Sequence, residues 1–273
     1  MPALNTISIE KLTRLIGTPK APALIDVRID DDYALSPMLI PGSRRRTHGN
    51  VEAWAKELNG RDAIVICQQG LKLSQGAAAW LRHSGVAADS LEGGYEAWAK
   101  AELPLVKTGR MPKRDDAGRT VWVTRARPKV DRIACPWLIR RFVDPDAVFL
   151  FVNPSDVGGV AERFGATPFD VEGAFWSHRE GNCTFDVMLD EFGLHTGPLD
   201  RLAAIVRGAD TSRMDLAPEA AGLLAASLGL SRMYADDLEQ LDAGMLLYDS
   251  LYRWCRDATD ETHDWHSAPK KKG

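Results

Sequence analysis

The chain has 273 residues, 45% of them hydrophobic and 26% charged, with a net charge of −4. That is the balance of a globular chain of one large or two ordinary domains, and it excludes a disordered or fibrous protein. The absence of an 18-residue apolar run and of a charged-then-apolar N-terminus argues against a membrane span or secretory signal and makes the cytoplasm the expected compartment.

In chain order, Ala23 to Val27 (ALIDV) and Ala63 to Cys67 (AIVIC) are short apolar runs, the pattern of parallel strands buried on both faces. Val51 to Leu58 reads as a helix, and Gln75 to Ser84 (QGAAAWLRHS) as another, ended by Gly85. Alternating strands and helices predict a small α/β domain over residues 1–108 with a parallel sheet and flanking helices. Residues 109–119, within TGRMPKRDDAGR, are polar and carry Pro and Gly, as linkers do. Beyond them Thr120 to Thr124 and Ala147 to Val152 are strand candidates. Ile133 to Phe142 reads as a helix between them, with Asp131 as its N-cap. Helices are then expected over Thr184 to Phe192, Pro198 to Arg207, Pro218 to Leu228 and Asp236 to Cys255, with the two prolines in first turns. Residues 120–260 therefore read as an α+β, mostly helical second domain. The remainder, 261–273, ends in Pro269 and a lysine run and reads as a loose tail, although His263 and His266 could meet a metal there.

Charge is unevenly spread. Residues 1–108 hold 13 basic and 12 acidic groups, whereas 120–260 hold 14 and 22, a net −8. This balance argues against DNA as a partner. Within the acidic body, residues 120–145 hold 6 basic and 2 acidic groups. Arg125, Arg127, Lys129 and Arg132 crowd a loop that feeds a helix. They fit an anion site equally as well as a set of ion pairs to the acidic body.

The most informative segment is Ala63 to Trp80, AIVICQQGLKLSQGAAAW. A strand runs into Cys67, a seven-residue loop follows, and a helix is expected from about Ser74. This places the thiol at the C-terminal edge of a sheet, where α/β proteins bind ligands. The amides of Gln68, Gln69, Gly70, Leu71, Lys72, Leu73 and Ser74, with the helix N-terminus, would form an oxyanion cradle and favour the thiolate. Of the other cysteines, Cys135 stands before Pro136 in an apolar run and reads as a structural thiol. No C-x-x-C pair is present to suggest a disulfide scaffold or an all-cysteine zinc site.

A weaker constellation surrounds Ser177 to Asp186 (SHREGNCTFD). His178, Cys183 and Asp186, with Asp210 further on, could hold a divalent metal, while a structural histidine and a capping Asp210 remain open.

Residues 1–108 resemble a rhodanese domain. Leu24-Ile25-Asp26-Val27-Arg28 is similar to the family's strand end, Ile40-Pro41-Gly42-Ser43 to its I-P-G-A turn, and Leu91 to Trp98 (LEGGYEAW) to its closing motif. The resemblance implies sulfur transfer through a Cys67 persulfide, from a small sulfur donor to a thiol acceptor, with Asp26 and Arg28 in support and no cofactor required. Departures from the pattern are Lys72 for Arg, Ser74 displaced one residue by Leu73, and Met38-Leu39 in place of G-H. The longer loop implies a wider cradle, suited to chromate, sulfate or phosphate. Leu73 stands where a related phosphatase loop would need Arg.

Residues 120–260 resemble the chromate-resistance domain of the ChrB family through W-V-T-R-x-R-P-K-V-D-R-I-A-C-P-W-L-I-R-R-F, P-F-D-V, C-T-F-D, I-V-R-G-A-D, L-A-P-E-A-x-G-L and L-Y-D-x-L-Y. Two functions follow as expectations. One is a sulfurtransferase coupled to a chromate-resistance domain that binds an oxyanion or metal. The other is a chromate-responsive sensor whose rhodanese loop only binds.

Overall fold

The computed structural model describes residues 5–58 and 60–261. His263, His266 and the tail expected from Thr262 onward lie outside the described residues.

The first half runs β1 (Thr6–Ile7), α1 (Ile9–Leu15), β2 (Ala23–Asp26), α2 (Asp30–Leu35), β3 (Met38–Leu39), β4 (Ser43–Arg45), α3 (Val51–Ala55), β5 (Ala63–Ile66), α4 (Lys72–His83), β6 (Ala88–Leu91), α5 (Gly94–Lys100) and β7 (Val106–Lys107). A 3-10 turn over Lys56–Leu58 prolongs α3. The parallel sheet has the order β1-β6-β5-β2-β4, and β3 and β7 form a separate antiparallel pair. The short, one-turn elements at either end of this domain carry no apolar run long enough to be read from sequence.

Period-two alternation decides what each face of the sheet touches. Leu24, Ile64 and Ile66 point to a core shared with the second half of the chain. Ile25, Val65 and Cys67 point the other way, into the core beneath α3 and α4. The reactive-cysteine candidate is therefore on the side of the sheet remote from the second domain.

The second half runs β8 (Val121–Arg125), α6 (Asp131–Leu138), β9 (Val148–Val152), α7 (Val157–Phe164), β10 (Thr167–Pro168), α8 (Thr184–Phe192), α9 (Gly197–Asp210), α10 (Ala220–Met233) and α11 (Asp237–Asp257). Its sheet is parallel, ordered β10-β8-β9. β10 and α7 are additions to the sequence reading, and Pro218 lies ahead of α10 rather than in its first turn. The helix expected to run to Phe142 loosens into a π turn over Ile139–Val143. This wider turn follows Pro136, which lies inside α6 and cannot donate to the helical ladder.

Asp131 does not cap its own helix. That position is Val130, at φ +34° and ψ −97°, a conformation costly for a β-branched residue and held only where its surroundings over-determine it. Here Val130 N–H donates to Ser227 Oγ at 2.9 Å, and Tyr248 Oη donates to Val130 O at 2.8 Å. The Asp131 side chain is freed to act elsewhere.

Trp98, Trp122 and Trp137 are fully buried, and Trp137 stacks on Phe185 and meets Phe142 edge-on and Tyr248 and Tyr252 at a tilt. Phe142 and Tyr252 also close on Gly17 at the end of α1, so this aromatic group joins the two halves. Gly42 N–H donates to Phe142 O at 2.6 Å.

Arg44 to Arg46, which follow the I-P-G turn, are paired rather than simply solvated. Arg45 meets Asp30 and Arg46 meets Glu57, while Arg44 crosses to Asp144 and Asp146 of the second half. Buried Asp144 also accepts from Thr120 N at 2.7 Å and Thr120 Oγ1 at 2.8 Å and pairs with Arg114 at 3.0 Å. Replacing Asp144 by Ala strands these donors and is expected to cost about 3 kcal/mol, measured as a lower urea midpoint at unchanged m-value.

Candidate functional site

β5 delivers the chain to Cys67, and the backbone turns through Gly70 at φ +70° before α4 begins. The segment 91–98 locks this turn from below. Tyr95 N–H donates to Cys67 O and Glu96 N–H to Gln68 O, both at 3.0 Å. Gln68 Nε2 donates to Glu96 Oε1 at 3.1 Å.

The helix begins at Lys72, two residues earlier than the sequence spacing placed it. Leu73 packs against the α3–α4 core, and buried Ser74 donates to Leu71 O at 3.1 Å. Burial of these side chains draws them into the first helical turn. The loop therefore runs only from Cys67 to Leu71, and the extra residue extends the helix rather than the loop. First-turn amides still lack intrahelical acceptors. The C-terminal end of β5 thus offers Cys67 beside the N-terminus of a 12-residue helix, the direction of the helix dipole that favours an anion.

Cys67 is 4% exposed, and its Sγ stands 3.1 Å from Ser74 Oγ. Gln69, Leu71 and Lys72 are exposed at the rim. Asp26 and Arg28 form a buried ion pair at 2.7 Å. The guanidinium donates onward to Ser36 O and Met38 O and lies over the Tyr95 ring, 3.7 Å from its centroid. This pair supports the loop through Tyr95 rather than by contact with the thiol.

The remaining thiols differ in their surroundings. Burial pushes Cys135 and Cys183 well up and Cys255 up to about 11, which keeps them protonated and slow as nucleophiles.

The second centre lies at the C-terminal end of β8. His178 Nε2 is 3.2 Å from Asp170 Oδ1, 3.2 Å from Asp210 Oδ2 and 3.5 Å from Asp131 Oδ2. Hydrogen bonding to these three carboxylates raises the imidazole pKa to about 12. Burial raises Asp131 to about 6, opposed by its contact with His178. Burial also acts to raise Asp170, but His178 and Arg132 outweigh it and leave that carboxyl below the usual range.

Asp131 is fully buried and accepts from Thr184 N at 2.6 Å and Phe185 N at 3.1 Å. It caps α8, a helix 53 residues further along the chain. Asp170, itself at φ +50°, accepts from Thr184 Oγ1 at 3.1 Å.

Of the metal candidates read from sequence, His178 and Asp210 meet, while Cys183 and Asp186 do not join them. Cys183 N–H and Sγ donate to Asp186 Oδ2 at 3.0 and 3.2 Å, a capping arrangement for α8, and Asp186 pairs with Arg207 at 2.5 Å. The helix start needs its donors satisfied locally, so these two side chains turn toward each other. Asp131 and Asp170 take their place. Both lie within stretches quoted for the family resemblance, K-V-D-R and P-F-D-V, which is the signal that could have found them.

The basic residues divide. Arg125 and Arg132 face Asp170, at 3.4 and 3.2 Å. Arg127 turns instead to Tyr234 O and Ser231 O, its own N–H meeting the Asp237 carboxylate, and Lys129 is exposed. The four do not converge on one anion position. A groove of about 1320 Å³ along the seam of the two halves is lined by Arg44, Arg61, Arg140 and Asp146 among others, and none of its lining residues belongs to either centre. Among the described residues no helix is long and apolar enough to cross a membrane.

A parallel sheet with a cysteine at one strand's C-terminal end, followed by a tight loop and a helix N-terminus, defines the first half as a rhodanese-like α/β domain. Residues 8–101 match the family described as the rhodanese-like domain, and residues 122–255 match the C-terminal domain of ChrB. The chain thus joins a rhodanese-like domain to a ChrB C-terminal domain.

Protein ChrB of Cupriavidus metallidurans is 38% identical over 148 residues, a stretch covering 53% of this chain and 44% of that protein. The chain therefore matches less than half the length of that relative. Among solved structures, a rhodanese-related protein from Thermoplasma volcanium is 24% identical, with a TM-score of 0.33 over 38% of this chain and 98% of that one. A thiosulfate sulfurtransferase from Pseudomonas aeruginosa is 26% identical, with a TM-score of 0.32 over 38% of this chain and 19% of that one.

Proposed function

We propose that the chain is a rhodanese-type sulfurtransferase, carrying sulfane sulfur on Cys67, joined to a chromate-resistance domain that binds an oxyanion or metal. The observation that carries this reading is the position of Cys67 at the end of β5, against the first turn of α4. The Cys67 thiolate attacks the outer sulfur of a donor such as thiosulfate. A new S–S bond forms as the donor's S–S bond breaks, and sulfite leaves with the electron pair. A thiolate acceptor then attacks the outer persulfide sulfur, and Cys67 departs as thiolate. Helix amides and the loop would hold the anionic donor and the persulfide. In the resting thiol Cys67 Sγ donates to Ser74 Oγ at 3.1 Å, while the Ser74 hydroxyl donates to Leu71 O; rotation of that hydroxyl would turn its proton to the thiolate.

The proposed partners are a small sulfur donor and a thiol acceptor, with sulfate, phosphate or chromate as competing ligands. No cofactor enters the sulfur step. The −8 charge of residues 120–260 supports a role without DNA, and the cytoplasm as its setting is part of the same reading.

Mass spectrometry of the full chain after brief exposure to thiosulfate tests the proposal. One added sulfur atom on the Cys67 peptide is expected. Loading of another cysteine, or no loading of a folded chain by thiosulfate or by an organic persulfide donor, would refute it. In a parallel alkylation time course at neutral pH, Cys67 is expected to label at least about tenfold faster than Cys135, Cys183 or Cys255, whose protonated, buried thiols are poor nucleophiles. Faster labelling of Cys135 or Cys183 contradicts this ranking.

A further inference from the structure

We infer that Asp131, Asp170 and His178, with Asp210 as a fourth ligand, form a binding site for one divalent first-row metal ion of the Mn²⁺ or Fe²⁺ type. The inference deepens the reading of the second domain and does not depend on sulfur chemistry at Cys67.

The four side chains come from four places in the chain: the start of α6, the segment after β10, the loop before α8 and the end of α9. They converge on one point. Ligand atoms of Asp131, Asp170 and His178 all lie within 4.8 Å of one another, and Asp210 approaches the same imidazole nitrogen at 3.2 Å. Ligands about 2.1 Å from a shared ion stand about 3.0 Å apart at right angles and about 3.4 Å apart at the tetrahedral angle. The imidazole-to-carboxylate separations of 3.2 to 3.5 Å have this spacing.

One ring nitrogen carries one proton, so in the ion-paired arrangement the three carboxylates must share it. A cation at that point would engage all of them. A second observation comes from β8. Thr124 is fully buried, and its Oγ1 has no hydrogen-bond partner. Alternation with Val123 puts it on the Trp122 side of the sheet. That is the face toward α6 and α8, at the same strand end where Arg125 meets Asp170.

Donor chemistry sets the class of ion. Three carboxylates and one imidazole are an oxygen-rich set, which suits Mn²⁺ and Fe²⁺. The two nearby thiols, which would favour softer ions, are turned to other acceptors: Cys183 Sγ donates to Asp186 Oδ2 and Cys135 Sγ to Asp131 Oδ1. The neighbouring carboxylates accept from Arg125, Arg132 and α8 amides, which orient them as outer-shell partners do. His178 is 43% exposed and Asp210 19%, so the ion would reach solvent on that side and keep positions for water or an added ligand.

The test is Mn²⁺ titration of the full chain, followed by calorimetry and by loss of the free-ion paramagnetic resonance signal. One ion per chain and a raised Tm are expected. His178→Gln should weaken binding about a hundredfold and Asp210→Asn about tenfold, while Cys67→Ser should leave it unchanged. These two positions are chosen because Asp131 caps α8, and its loss could unfold the domain; circular dichroism of each variant checks the fold. Failure of folded wild-type chain to take up Mn²⁺ or Fe²⁺, or undiminished binding in both His178→Gln and Asp210→Asn, overturns the assignment. Loss of sulfur loading at Cys67 with intact metal binding would count against the sulfurtransferase reading alone.

Discussion

Cys67→Ser is expected to lower thiosulfate-dependent sulfur transfer by about three orders of magnitude or more, to the background of the uncatalysed reaction. A hydroxyl cannot form the persulfide on which both half-reactions depend. The fold should survive the change. Cys67 is buried, but the Ser74 hydroxyl lies 3.1 Å from its Sγ and can pair with the incoming serine hydroxyl, so no polar group is left stranded. Urea unfolding should therefore shift by less than about 1 kcal/mol, while a steady-state assay with thiosulfate and cyanide loses its signal. Retained turnover in the variant would place the chemistry on another residue.

Gly94→Ala is expected to cause a large loss of stability in the first domain. Gly94 has φ +60° and starts α5 directly beneath the cysteine loop. A Cβ there would collide with Cys67 O and Gly70 N and stand 2.8 Å from Gln68 O. All three are backbone atoms, and the two oxygens accept from Tyr95 N–H and Glu96 N–H, so no rotamer change relieves the clash. The expected cost is about 3 kcal/mol or more, from overpacking together with the left-handed backbone.

Gly70→Ala should behave similarly, since its Cβ would meet Leu91 O, Gly94 N and Gly93 N. Gly76→Ala is the opposite control. That residue lies in α4 with open space around the added methyl, and the substitution should stabilise by about 0.5–1 kcal/mol. Chemical denaturation of the three variants checks both signs. If Gly94→Ala equals Gly76→Ala in stability, the close approach of the two loops is not tight. Sulfur loading of Cys67 should fall in Gly94→Ala and persist in Gly76→Ala.

Local pattern carried much of the fold. The apolar runs at Ala23 and Ala63 become β2 and β5, because a strand buried on both faces needs continuous apolar side chains. Thr184 to Phe192 forms α8 at those limits. Short elements such as β10, with two residues, left no such trace. Their hydrogen bonds, not their composition, make them strands.

The cysteine centre is local, since one strand, one loop and one helix of consecutive residues build it. Its position and neighbours could be read from the order of residue types. The helix start could not, because Leu73 and Ser74 enter the helix by burying themselves in a core supplied by α3.

The second centre marks the opposite limit. The sequence by itself determined that an acidic, helix-rich body carries His178 and a supply of carboxylates, since composition and periodicity are properties of the chain alone. Which carboxylates meet that histidine was decided only by tertiary structure. Cys183 and Asp186, close to His178 in sequence, are consumed in capping α8. Asp131 arrives from the start of α6 and Asp170 from the segment after β10, because Asp131 caps α8 from across the fold and Asp170 accepts from Thr184 beside it. Helix termini must satisfy their backbone donors, and side chains far apart along the chain supply those bonds only after the core has brought the elements together.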